Sequence, residues 1–167
     1  MSATTRTQMN TICEEDVLQA QEAWCAGLIA ISEMHKAQGP EKAKETASKF
    51  IDAAYGFDHG DVLFKPTLAL APQTFRTTKE GTLSYFVGQN PNFPTDKGFG
   101  LKGWVSYEIE NAGVQVLGHA ANSMGKIRLT DGQGHVTEVD KTFGFIKDDE
   151  GRTRIVLHHS SLPVSGK

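Results

Sequence analysis

Two residues near the end of the chain, His158 and Ser160, raise the first chemical question. In a strand, side chains two positions apart share a face. A His and a Ser placed that way offer a base and a hydroxyl donor to one pocket. The same spacing suits a structural His beside a strand-end Ser, and spacing alone favours that plainer reading. Arg154 and Val156 fall on the same face by this rule, while Ile155, Leu157, His159 and Ser161 fall on the other. Thr67, just past Lys65-Pro66, and Tyr85 are further hydroxyl groups. Alone, Thr67 reads as turn chemistry and Tyr85 as a core aromatic.

Metal chemistry is the next possibility. The histidines are His35, His59, His119, His135, His158 and His159. Zinc takes three or four ligands from His, Cys, Asp and Glu. His158 and His159 are adjacent, so on a strand they cannot grip one ion together. No His-x-His and no His-Glu-x-x-His occurs. The sequence therefore offers no metal centre. Cys13 and Cys25 share one predicted helix about 18 Å apart, too far for a disulfide, and read as free thiols. Ser160 lacks the Gly-x-Ser-x-Gly elbow of a nucleophilic serine. Glu138 and Asp140 could serve as an isomerase base only by their face, and they sit mid-strand beside Lys141.

Composition narrows the class. The chain has 167 residues and a net charge of -3, with its Lys and Arg scattered. Nucleic acid needs a clustered positive face, so it is not an expected partner. No apolar run approaches the ~20 residues of a membrane helix. The N-terminus has no apolar stretch that reads as a secretory signal, and an intracellular, cytoplasmic protein is expected. Residues 1–10 are polar and are expected to be flexible; residues 11–167 read as a single domain.

The elements that must position these side chains follow from periodicity. Thr11-Ile12-Cys13-Glu14 matches a capping box. Val17, Ala20, Trp24, Leu28 and Ile31 then mark one face of a helix to about residue 37. Gly39-Pro40 ends it, and a second helix is expected over 40–54. A strand is predicted over 62–65, with residues 75–77 pairing back on it. Thr77-Thr78-Lys79-Glu80 is another capping box and opens a short helix containing Tyr85 and Phe86. Period-two alternation then predicts strands over 104–111, 114–129, 135–146 and 152–161. The short turns at 131–134 and 148–151 require antiparallel neighbours. This order predicts an α+β fold, with a curved antiparallel sheet wrapped around the long N-terminal helix as a cone. The ligand site is expected between helix and sheet.

Several stretches together resemble one family. They are Ala54-Tyr55-Gly56-Phe57-Asp58, Val62-Leu63-Phe64-Lys65-Pro66-Thr67, Gly81-Thr82-Leu83-Ser84-Tyr85-Phe86-Val87-Gly88, Asp96-Lys97-Gly98-Phe99 and Glu110-Asn111-Ala112-Gly113. Thr142-Phe143-Gly144-Phe145 and Leu157-His158-His159-Ser160-Ser161-Leu162-Pro163 complete the set. Their order resembles the iota class of carbonic anhydrases over residues 14 to 165. The resemblance implies a SnoaL-like cone of the cystatin-like superfold, akin to the association domain of calcium/calmodulin-dependent kinases. It implies reversible hydration of carbon dioxide to bicarbonate without a metal cofactor. A diatom branch of the class is linked to manganese, which leaves manganese or zinc open. It implies site residues Thr67, Tyr85, His158 and Ser160.

The residues suit that chemistry. Phe64, Phe86 and Val156 are expected to line an apolar niche for carbon dioxide. Hydroxyls of Tyr85, Thr67 and Ser160 would stabilise the charge that hydration places on its oxygens. Without metal a general base is needed, and His158 is the best placed by type; Tyr85 could relay the proton. His159 faces away, and Ile155 and Leu157 are expected to present an apolar stripe to a second copy in a homodimer. A non-catalytic association or ligand-binding module of the same fold is the alternative, and a lyase or isomerase on a larger apolar ligand is a third reading.

Overall fold

The computed structural model describes residues 11–166. The segment expected to be flexible, 1–10, lies outside the described residues.

The chain opens with helix α1, Glu14–Gln38, followed by α2, Pro40–Ala54. Strand β1, Leu63–Lys65, and helix α3, Lys79–Val87, come next. Four strands complete it: β2, Trp104–Leu117; β3, Ala120–Asp131; β4, Val136–Lys147; and β5, Thr153–Ser161. The sheet order is β1-β5-β4-β3-β2. The long strands are antiparallel, and β1 joins the edge parallel to β5. The fold is the expected α+β cone, with α1 laid across a curved sheet. Val17, Trp24, Leu28 and Ile31 on α1 are buried against it, as the three- and four-residue spacing of apolar positions demands.

The structure corrects several boundaries. The first helix is capped by Cys13 and not Thr11: the Cys13 backbone N–H donates to Asp16 Oδ2 at 2.9 Å. The cap of α3 is Thr78, whose Oγ1 accepts from the Gly81 N–H at 3.2 Å. Neither cap keeps the Ser/Thr–acid spacing: the first is a cysteine with Asp16 three residues on, and Thr78 has Gly81 at that position. Residues 75–77 form no strand; a single Arg76 N–H to Phe64 O bond of 2.7 Å ties them to β1. The expected break at 112–113 is a bulge inside β2, where the register skips between Asn111 and Gly113. The hairpin turn falls at Gly118-His119 instead. Gly118 has φ 73, a left-handed conformation that glycine adopts at no steric cost.

Strand β5 breaks strict alternation. Gly144 pairs with Leu157 but Phe145 pairs with Ile155, which leaves Val156 as an extra residue. Such a bulge shifts the faces before it relative to those after it. Ile155, expected on the outer stripe, is therefore in the core at 1% exposure. Arg154, expected to share the face of His158, is buried elsewhere: its guanidinium donates to the carbonyls of Asp52 and Tyr55 and pairs with Asp58 and Asp148. Beyond the bulge the rule holds. His158 and Ser160 are buried, and His159 is exposed.

Candidate active site

Strand β1 brings the pocket together. Its parallel pairing with β5 sets Phe64 beside His158. Lys65 Nζ donates to the Ser160 carbonyl at 2.9 Å. The chain then turns at Pro66, and Thr67 Oγ1 lies 2.6 Å from Ser160 Oγ. The next backbone N–H, of Leu68, donates to the Tyr85 hydroxyl at 3.1 Å. Three hydroxyls from three elements thus converge.

A buried ion pair holds α3, and so Tyr85, in place. Arg76 grips Asp96 with two bonds of 2.7 Å. The same guanidinium donates to Gly81 O at 2.9 Å, and Ser84 Oγ donates to Asp96 Oδ2 at 2.5 Å. A bidentate, charge-assisted pair adds geometric definition as well as energy.

His158 sits deeper, fully buried in an aromatic box. Phe64 stacks on its ring at 4.4 Å and Phe143 lies 4.5 Å away. The Trp24 ring meets it edge-on at 5.4 Å. Both ring nitrogens are engaged: Nδ1 with Tyr55 Oη at 2.8 Å, and Nε2 with Lys141 Nζ at 2.9 Å. Burial, reinforced by Lys141 and His159, pushes its pKa well below the usual value. The imidazole is therefore neutral at physiological pH. Burial pushes the Tyr85 phenol up to about 12, which keeps it a hydroxyl donor.

Of the residues expected at the site, Thr67, Tyr85 and Ser160 meet directly. His158 and Phe64 adjoin them, and Phe86 stacks on Phe64 at 6.2 Å. Val156 does not join this group. It is the bulged residue of β5 and lies against Gly56. Lys141, Tyr55, Trp24 and Phe143 are close partners that the sequence reading left out. A signal for Lys141 existed: Val139, Lys141, Phe143 and Phe145 alternate on β4, so one lysine stands on an apolar face. Glu138 and Asp140 point outward, paired with Arg128 and Lys126 on the exposed side of the sheet.

Among the described residues, no group of three or more His, Cys, Asp or Glu could hold a metal ion. Cys13 and Cys25 are free. A cleft of about 540 Å³ between Lys36, Lys102 and Trp104 contains none of the residues above.

A curved sheet closed by a long helix, with polar side chains aimed inward, defines the NTF2-like class of α+β cones. A calcium/calmodulin-dependent protein kinase II association domain from Xanthomonas campestris shares that fold, with TM-score 0.58 at 22% identity over 90% of this chain and 87% of that one. The family described as metal-independent carbonic anhydrase matches residues 15–162. A metal-independent carbonic anhydrase of Nostoc sp. (strain PCC 7120 / SAG 25.82 / UTEX 2576) is 54% identical over 152 residues, 91% of this chain and 74% of that protein. The crystal structure of an iota-carbonic anhydrase from a cyanobacterium, complexed with bicarbonate, superposes with TM-score 0.93 at 52% identity, covering 94% of this chain and 96% of that one. The chain belongs to the metal-independent carbonic anhydrases. It is a lyase that hydrates carbon dioxide reversibly and uses no metal cofactor.

Proposed function

We propose that hydration takes place where Thr67, Tyr85 and Ser160 converge, with carbon dioxide held over Phe64 and Phe86. The observation that carries this reading is the 2.6 Å contact between Thr67 and Ser160 beside the Tyr85 hydroxyl. Attack by water moves negative charge onto the carbon dioxide oxygens. Hydroxyl donors fixed in advance stabilise that charge without reorganising. Bicarbonate, bound in the related crystal structure, presents three oxygens, one for each donor.

Water is a poor nucleophile without metal, since zinc lowers its pKa from about 15.7 to about 7. General-base assistance supplies roughly 10²–10⁴-fold, so a slower enzyme than the zinc anhydrases follows. His158 contributes as the neutral, fully engaged floor of the pocket. The test is a structure with bicarbonate: contacts to Thr67, Tyr85 and Ser160 support the reading, and a ligand bound elsewhere defeats it.

We also propose that residues 11–167 act as one domain and assemble as a homodimer through the outer sheet face. Exposed Leu63, Phe75 and Met124 there support this, as does the groove of about 390 Å³ that Leu63, Phe75 and Leu157 border. A monomeric mass at micromolar concentration would contradict it.

A further inference from the structure

Lys141 is a buried titratable group to which the chemistry above gives no work. It stands on β4 directly opposite Ser160 on β5. Both are buried, so their side chains stand at neighbouring positions on the inner face of the sheet. Lys141 Nζ lies 2.9 Å from His158 Nε2 and 4.1 Å from the centre of the Trp24 ring.

One donor sets the direction of the whole chain. The Trp24 indole can only donate, and it donates to Tyr55 Oη at 2.9 Å. The Tyr55 hydroxyl has a single hydrogen, and its other partner is His158 Nδ1 at 2.8 Å. Tyr55 therefore donates to Nδ1. A neutral imidazole that accepts at Nδ1 carries its hydrogen on Nε2, and that N–H faces Lys141 Nζ. An ammonium has three donors and no acceptor, so it would oppose this N–H. A neutral amine has a lone pair and accepts it. Only the uncharged amine satisfies every polar atom from Trp24 to Lys141. Protonating Lys141 forces the His158 hydrogen onto Nδ1 and strands the hydrogen of Tyr55.

The surroundings agree. From α1, Lys141 is faced by Cys25, whose thiol burial pushes up to about 12 and keeps neutral. From β1, Lys65 opposes a second positive charge. Tyr55 and Tyr85 are neutral phenols, and the β3 neighbour is Gly125, which has no side chain. Among the described residues no carboxylate pairs with Lys141. Burial in this company pushes its amine down to about 7.

We propose that Lys141 is the group that accepts the proton during hydration, and that His158 is the positioning residue that holds it uncharged. This rests on the site reading given above. The oxygen of water bonds to the carbon of carbon dioxide, and one C=O electron pair moves onto oxygen. The O–H proton passes to the one Lys141 lone pair as the amine turns it away from the His158 Nε2–H, giving bicarbonate and an ammonium whose charge balances it. The ammonium state leaves the Tyr55 hydrogen stranded, which favours release of the proton to solvent once bicarbonate departs. The reverse reaction runs through the same protonated lysine.

The test combines 15N NMR of the lysine side-chain nitrogens with stopped-flow hydration across pH, both on the whole protein. Lys141→Met assigns the resonance. The Lys141 amine is expected to titrate near neutrality, and kcat/KM is expected to fall toward acid with the same midpoint. Lys141→Met is expected to lose about 10²–10⁴-fold in rate together with that pH dependence. Lys141→Ala is expected to regain rate when a small amine is added. An amine titrating in the ordinary lysine range, or a midpoint that differs from that of the rate, overturns the proposal on wild-type protein alone. Wild-type rate in Lys141→Met with loss in Ser160→Ala overturns only this inference. Wild-type rate in Ser160→Ala overturns the site reading itself.

Discussion

Thr67 Oγ1 and Ser160 Oγ lie 2.6 Å apart although 93 positions separate them in the chain. The contact exists because the three-residue strand β1 adds to the sheet edge parallel to β5. It gives the pocket two hydroxyls on a rigid junction between a strand and the turn that follows β1, with Tyr85 bonded to the next residue of that turn.

Ser160→Ala, Thr67→Ala and Tyr85→Phe are each expected to lower kcat by roughly 10²–10³-fold, the usual cost of one preorganised donor to developing charge. Circular dichroism should remain unchanged. Stopped-flow hydration assays check this, and a variant trio at wild-type rate would remove the site assignment.

The Arg76–Asp96 pair is nearly sealed from solvent, with side chains 0% and 3% exposed. Asp96→Asn leaves the guanidinium without its counter-charge. Breaking a buried pair by removing one partner costs about 3–5 kcal/mol. Urea denaturation should register that loss. The rate should fall as well, because the same pair fixes α3 and Tyr85.

Two depressed pKa values give stability a definite pH dependence. Lys141 is held at about 7 against 10.5 in the unfolded chain. Between those values the unfolded chain binds more protons, so stability rises with pH across that window. His158 is held well below 6.5, so stability is lost as pH falls below that value toward its folded pKa. Both shifts make the fold weaker in acid. Lowering the Lys141 pKa from 10.5 to about 7 costs on the order of 5 kcal/mol, at ~1.36 kcal/mol per pKa unit. Denaturation midpoints at about pH 5, 7 and 9 should climb in that order, and Lys141→Met should flatten the upper part of the climb. A midpoint that falls between neutral and alkaline pH would refute the assignment of a buried neutral amine.

The outer face offers a fourth test. Leu63 and Phe75 are 61% and 71% exposed. Phe75→Glu is expected to shift the protein from dimer to monomer in sedimentation, with hydration little changed. A monomeric wild type would end the dimer proposal.

Much of this architecture was legible in residue order. The second helix, bounded by Gly39-Pro40 and Tyr55, falls at 40–54 as read. The period-two strands and their antiparallel turns also follow from the sequence. The misread strand faces and turns have one cause: local rules do not see register. The bulge at Val156 moves Ile155 into the core and Val156 away from His158, and its cue lies in the partner strand, at Gly144 and Phe145. Gly118 and Gly113 exchange roles as turn and bulge because only the paired strand decides which one folds back. The parallel placement of β1 could not be read from three residues. At the site, Thr67, Tyr85, His158 and Ser160 came from motif order. Lys141 was visible only as a charge on an apolar face, and Tyr55 and Trp24 looked like ordinary core.

The central claim is that this pocket hydrates carbon dioxide with protein groups alone. The most direct measurement is the initial rate of hydration by purified protein after exhaustive chelation, with residual metal measured by mass spectrometry. The account predicts a full rate in the metal-depleted protein, unchanged when zinc or manganese is added back. A rate that vanishes on chelation and returns with either ion would contradict it.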